Sequence, residues 1–376
     1  MTVSGESSVT PAPPPPPPPV SGGAHSRRRD PEQVHSPKLI HGIKRFPWSW
    51  DAPMTGSTVL VSTWSDGVFV IEGGEVRHEL AGRGVRGLAA DDDGSVLAIV
   101  DTSKLCRRDR DGAWAELTES QSPLSCCLIS RGEVFVGTDD GAHLLRLDRD
   151  GALRRMEGFD AMPGRDKWFA GAMLVDDKMM GPPLGIRSMS ASPDGGVLLA
   201  NVHVGGIPRS TDRGVTWHPT IDIEADVHQV VCHASRLESV AAAAAVGLCI
   251  SRDGGASWRI ETDGLHASHC SAVAFVGDDV FVSASESPFS KEGAVYRRPA
   301  GGAGPLTPVG GGLPRRTAGK VDTTGIGVHG QSAAIVDSAG NVYLSRDDGR
   351  SWAREAEGPA SPSCVTLHLG ERGRAI

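Results

Sequence analysis

Aromatic residues make up only 5% of this 376-residue chain, and tyrosine occurs just twice. Sparse large side chains, together with Gly 48 and Pro 26, predict many short strands joined by tight turns. No stretch approaches 18 apolar residues, so a membrane-spanning helix is excluded and no membrane partner is expected. No apolar core follows basic residues near the N-terminus, which predicts no secretory leader. Basic excess is lacking too: the net charge of -8 excludes the cationic face of a nucleic-acid binder. Cysteines number seven, an odd count without framework spacing, which points to reduced thiols and a cytoplasmic home rather than a disulfide scaffold. Cys126 and Cys127 are adjacent and face opposite sides of a strand, so they cannot bridge. The familiar catalytic signatures are also missing. There is no Gly-x-Ser-x-Gly elbow, no phosphate-binding Gly-Lys-Ser/Thr loop and no His-Glu-x-x-His helix. Asp91-Asp92-Asp93-Gly94 reads as a solvated turn rather than a calcium loop.

What the chain does have is a repeated pattern, Ser-x-Asp-x-Gly-x-x-Trp. It occurs at Ser210–Trp217, Ser251–Trp258 and Ser345–Trp352. A worn copy around Asp109, Gly112 and Trp114 is one residue out of register. The spacing has a physical reading. Ser ends one strand, and the Asp carboxylate accepts hydrogen bonds from turn amides. Gly supplies a positive φ, and Trp opens the next strand and covers the turn. The pattern resembles the Asp box (BNR repeat) of sialidases and related β-propellers.

Residues 1–50 form a separate regime. Pro13 to Pro19 is an unbroken run that favours polyproline II over packing, and its Ser-, Gly- and Arg-rich surroundings predict a disordered tail. Residues 51–376 read as one domain. First strands of successive units start near Arg86, Ser125, Arg187, His228, Cys270, Thr323 and Ser363, about 40 residues apart except at two insertions, which is the spacing of propeller blades. The insertions are Asp160 to Leu184 and the Gly/Pro segment from Gly301 to Pro314. Thr58 to Leu80 holds only three strands, and Ser363 to Leu369 is a lone strand. Joined, they make one blade and remove the open edges. The expected fold is therefore an all-β, seven-bladed propeller of four-stranded antiparallel blades; six or eight blades satisfy the same spacing.

In a propeller, first-strand starts and the turns between second and third strands share one face around the central channel. Arg86, Arg187, His228 and His269 sit at such starts, and His203 sits at such a turn. Trp64, Asp66, Asp101, Asp139, Glu286 and Asp337 occupy the equivalent turn elsewhere. These positions make Arg86, Arg187, His203, His228 and His269 the candidate ligand-binding set. His203, His228 and His269 are three imidazoles that a divalent metal accepts. His266 is a better fourth ligand than any cysteine, and Asp226 can orient an imidazole. The plainer reading is a set of polar groups lining a wet axis.

The sialidase resemblance implies three arginines clamping a carboxylate, an acid/base Asp and a Tyr nucleophile paired with Glu. Gly185-Ile186-Arg187-Ser188, followed by the Asp194-Gly195 turn, is similar to the family's Arg-Ile-Pro start but one residue out of order and without the Pro. Tyr296 and Tyr343 fall in third strands, away from the axis, so the nucleophile has no counterpart. Two functions compete. One is a non-enzymatic, monomeric propeller that binds a protein or small ligand at the channel mouth. The other is an enzyme at the same mouth, using a metal on the histidines or paired acids such as Asp66 and Glu286.

Overall fold

Runs such as Ser57–Thr63 and Val96–Val100 are buried along their whole length. A strand with both faces covered must lie between two neighbouring sheets. The computed structural model of the protein describes residues 57–171, 173–175, 178–180 and 183–369. They belong to the unit Pro37–Ile376, and the tail expected over residues 1–50 lies outside the described residues. The fold is a seven-bladed β-propeller of four-stranded antiparallel sheets. Blade 1 combines Ser57–Thr63, Val68–Glu72 and Glu75–Glu79 with the inner strand Pro362–Leu369. Blades 2 to 7 begin at the inner strands Val85–Ala90, Leu124–Ser130, Ile186–Ala191, Val227–Cys232, His269–Val276 and Ile326–His329.

The core is divided among the blade interfaces. Seven apolar clusters each join one blade to the next around the ring. The period of two along a strand sets the division. Val59 and Val61 face blade 7, while Leu60 between them faces blade 2. In Val240–Ala244 the alanines alternate likewise: Ala241 and Ala243 meet blade 6, and Ala242 and Ala244 meet blade 4. Small side chains let the sheets approach closely where the wedge narrows.

A belt of hydrogen bonds runs round the ring inside this core. Ser363 Oγ donates to Val85 O at 2.5 Å, Arg86 Nη2 to Leu124 O, and Ser125 Oγ to Ile186 O at 2.6 Å. Val230 N donates to Ser188 Oγ at 3.0 Å, and His228 Nδ1 donates to Cys270 O at 2.6 Å. Ser283 Oγ donates to Val321 O at 2.8 Å, and Thr324 Oγ1 to Ser363 O at 3.1 Å. Every blade interface thus carries a tie. Gln229 Oε1 adds a wider one, accepting from Val273 N at 3.2 Å and Thr324 N at 3.1 Å.

The two insertions behave differently. Glu157–Asp160 and Arg165–Lys167 form short helical turns, and Met173–Val175 pairs with Lys178–Met180 outside the blades. Phe159 and Trp168 plug the interface between blades 3 and 4. The Gly301 to Pro314 segment instead contains Thr307–Pro308, the outer strand of blade 6, so it is part of the blade and not an addition to it.

The repeated turns bond as their residue types dictate. Asp212 Oδ1 accepts from Thr216 N at 2.9 Å and Oδ2 from Thr216 Oγ1 at 2.6 Å, while Ser210 Oγ accepts from Gly214 N at 2.8 Å. Asp253 and Asp347 repeat these contacts with Ser257 and Ser351. Trp217 and Trp352 donate to the carbonyls of Gly214 and Gly349, but Trp258 donates to Thr220 Oγ1. In the worn copy Asp109 still accepts from Ala113 N at 2.8 Å. There the Trp114 ring N–H turns to Glu79, which also holds Arg108.

Hydrogen bonds to the hydroxyl and amide of Thr216 bring Asp212 down to about 2. At Asp253 burial pushes upward, but hydrogen bonds from Ser257 and Ser251 prevail and bring it to about 2. A depressed carboxylate stabilises the fold fully above its unfolded pKa near 3.8 and loses that contribution as pH falls toward 2. Asp253→Ala is expected to lower stability by roughly 1–3 kcal/mol at neutral pH. The deficit should shrink below pH 4, and a neutral-pH melting curve identical to wild type would contradict the turn assignment.

Pro362–Leu369 pairs with Ser57–Thr63 along its length. Deleting residues 361–376 opens blade 1 on its inner edge and uncovers the apolar faces of its neighbours. The truncated chain is expected to aggregate or melt far below the intact one. Equal melting temperatures would show that the ring does not depend on this strand.

Candidate functional site at the channel mouth

By position, Arg187 should continue the belt. Ser363, Arg86 and Ser125 each follow a strand start and donate to the next blade's carbonyl. Arg187 occupies the same place in blade 4, yet its guanidinium lies 3.5 Å from Thr323 Oγ1 on the approach to blade 7. It crosses the channel instead of binding its neighbour. Burial pushes it below the usual arginine range, opposed by Asp322, Asp226 and Asp139 in that order. Two of these acids have cations of their own. Asp139 lies 2.8 Å from Arg86 Nη1, and Asp322 lies 2.8 Å from Lys320 Nζ. Among the described residues Asp226 has no such close cation, and it faces the histidines.

Asp226 precedes the inner strand of blade 5 and is held at φ 48, a left-handed conformation that disfavours most side-chain-bearing residues. Its Oδ1 lies 3.0 Å from His203 Nε2, and its Oδ2 lies 3.7 Å from His228 Nε2. His203 enters from the turn ending Leu198–Val202, next to Val204, which is also left-handed at φ 49. The two imidazoles stack with centroids 5.9 Å apart and 25° between planes, and His269 tilts against His228 at 4.7 Å. Both His203 and His228 are buried.

The electrostatics follow from this crowding. Burial lowers His203, with Arg187 and His228 adding to the effect against Asp226. Burial, His228 and Lys320 bring His269 down to about 4. Burial raises Asp226, but the facing His203 and His228 imidazoles outweigh it and hold the carboxyl below its usual range. At Asp139 burial wins over Arg86 and lifts the acid. His203 Nδ1 is buried without a hydrogen-bond partner. The ring is also tightly covered, because a Cβ added at Gly171 would lie 1.8 Å from His203 Cε1.

Of the five residues singled out in the sequence, Arg187, His203, His228 and His269 meet around Asp226. Arg86 connects through Asp139, with its guanidinium 5.8 Å from the Trp64 ring. The metal-ligand geometry departs from the three-imidazole expectation. Donor atoms of His203, Asp226 and His228 lie within 4.8 Å of one another, and His269 is not in that group. Asp226 is closer because it sits between the two rings. His266 is engaged elsewhere, its Nδ1 2.7 Å from Tyr296 Oη. Asp66 is tied to its own blade by Gly82 N and His78, and no contact joins it to Glu286 among the described residues. Sequence reasoning missed Asp322 and Gly171. Asp322 stands just before an inner strand, as Asp226 does, and that parallel was the available signal.

A cavity of about 240 Å³ lies between blades 7 and 1, lined by Trp64, Asp322, Thr323 and Ser363 among others and by none of the clustered histidines. A concavity of about 1170 Å³ lies on the opposite face among turns that include Asp212, Arg213 and Val215. Several of its acids are committed to their own turns, as Asp194 and Asp212 are.

No family model matches the chain, and no curated protein matches it. Solved structures do. An ancestral GH74 enzyme superposes with a TM-score of 0.53 at 14% identity, over 83% of this chain and 40% of that one. The GH74 xyloglucanase from Xanthomonas campestris gives 0.51 at 16%, over 79% and 46%. A computationally designed protein gives 0.52 at 14%, over 87% and 96%. The likeness is one of fold. The chain spans less than half the length of either GH74 protein.

Arg187→Met is expected to cost on the order of 3 kcal/mol, because carboxylates are left in a poorly hydrated channel without it. Their pKa values then rise, so the folded variant binds protons that the unfolded chain releases, and its deficit shrinks as pH falls. Melting temperatures at pH 8 and pH 5 check this. An equal loss at both would show that Arg187 acts by packing alone.

Proposed function

We propose that the chain is an Asp-box repeat propeller that binds a small polar ligand at its channel mouth and carries out no chemistry on it. The observation that carries this reading is the departure of Arg187 from the belt. Its charge is held across the channel, next to Asp226 and two buried imidazoles, where a neutral hydroxyl would tie the blades at lower cost. Groups from several blades converge there on one small volume. The repeated turns support the Asp-box reading, since each Asp is spent on its own hairpin. The two tyrosines support a non-sialidase role. Both are buried, in the clusters between blades 5 and 6 and between blades 6 and 7.

A second reading, a metal-dependent hydrolase or lyase, is favoured by the reach of Asp226 to both His203 and His228. The GH74 proteins that share the fold are enzymes, and that too supports looking for turnover.

The test is a melting screen of the purified chain against sugars, amino acids, polyols and small carboxylates. A ligand at 100 times its Kd stabilises by about 2.7 kcal/mol, a readily measured shift. A compound that shifts wild type but not Arg187→Met supports the mouth as the site. A hit that binds the variant equally would overturn it, and conversion of a hit to product would favour the enzyme.

A further inference from the structure

Asp226 lies between two imidazoles, each with Nε2 toward its carboxylate, and the other nitrogen of His228 is held in place. His228 Nδ1 donates to Cys270 O at 2.6 Å. With Nδ1 engaged as the donor, Nε2 is the nitrogen left to face Asp226. A backbone carbonyl holding the far nitrogen is how metal-ligating histidines are oriented and made more basic. Nε2 of His228 lies 3.7 Å from Asp226 Oδ2, and Nε2 of His203 lies 3.0 Å from Oδ1. All three donors fall within 4.8 Å of one another.

We propose that His203, Asp226 and His228 bind one divalent first-row transition-metal ion at the channel mouth. This deepens the reading of the mouth as a binding site and rests on it. Two imidazoles and one carboxylate suit zinc, iron, cobalt or nickel rather than calcium or magnesium, which prefer all-oxygen shells. Three protein ligands leave a fourth position for water or a ligand. Charge agrees as well. Asp139 and Asp322 have Arg86 and Lys320 as close cations, so Asp226 is the carboxylate left to a dication. The unusual backbone supports the same assignment, because Asp226 and Val204 at φ 48 and φ 49 hold ligand-bearing turns in a conformation that needs compensation.

The alternative is a purely structural Asp–His contact, and the two differ in what binds. The full-length chain, stripped with a chelator, is titrated with Zn(II) and analysed for metal after gel filtration. One zinc per chain and a raised melting temperature are expected. Asp226→Asn and His228→Gln should each weaken zinc by at least about 10-fold, while His266→Gln leaves it unchanged. Because His228 also ties blade 5 to blade 6, His203→Asn provides a variant outside the belt. Co(II) absorption of the wild-type chain reads the donor set without any substitution. No zinc on the wild-type chain, equal affinity in His203→Asn, or a Co(II) spectrum identical to the aquo ion would overturn the proposal. A small polar ligand that binds equally well after chelation would remove the metal and leave the ligand site standing. Zinc bound without any such ligand would support the metal and count against the ligand reading.

Discussion

Each blade of this propeller is buried on both faces, and that constraint governs the rest. A sheet of short strands with alternating apolar residues cannot cover both sides alone. It needs a neighbour on each flank, and only a closed ring gives every blade two. The pairing of Pro362–Leu369 with Ser57–Thr63 is therefore the contact on which all seven interfaces depend. The belt of hydrogen bonds has the same logic at the narrow end of each wedge. Buried carbonyls near the axis need donors, and at four interfaces the residue after a strand start, Ser363, Arg86, Ser125 or His228, provides one.

The belt also explains why the site lies where it does. At most interfaces the tie is a small neutral group or a backbone amide. Between blades 4 and 5 the link passes to Ser188 and Val230, which frees Arg187 to reach the far side. Between blades 5 and 6 a histidine makes the tie, so one ring serves both the scaffold and the mouth. Its scaffold contact fixes the geometry of its free nitrogen. Structure and candidate chemistry are coupled through that ring, and a change in the blade 5–6 interface would be felt directly at Asp226.

Much of this was legible in the residues because repeats expose their own period. The turn pattern, the unit length and the lone last strand point to a closed ring of seven, with six or eight still fitting the spacing, and faces follow from strand order alone. That placed His203, His228 and Arg187 on one mouth. What the sequence could not show was the competition between near neighbours. Asp226 displaces His269 from the donor group because a left-handed backbone swings its carboxylate between two rings. His266 is drawn off by Tyr296, a contact made across the blade. Arg86 and Arg187 look equivalent in the sequence, yet one donates to its neighbour and the other crosses the channel. Those differences arise from long-range packing and leave no local pattern. The worn turn at Asp109 shows the converse: its shifted Gly obscures a hairpin that the carboxylate still organises.

The two faces of the ring divide the energetic load. On one face each box carboxylate is satisfied by its own turn, so it adds stability and has nothing left to offer a ligand. On the other face, near the axis, satisfaction is incomplete. His203 Nδ1 is buried without a partner, Asp226 sits in strained backbone, and Arg187 is desolvated among acids. An all-hydroxyl belt would close the same ring without these costs. Deficits of this kind persist in a folded protein when something else offsets them. The available offsets are a ligand or an ion that binds the folded state and not the unfolded chain. Polar cost concentrated where blades converge, opposite a face whose box carboxylates are satisfied by their own turns, is thus the physical argument for placing function at this mouth.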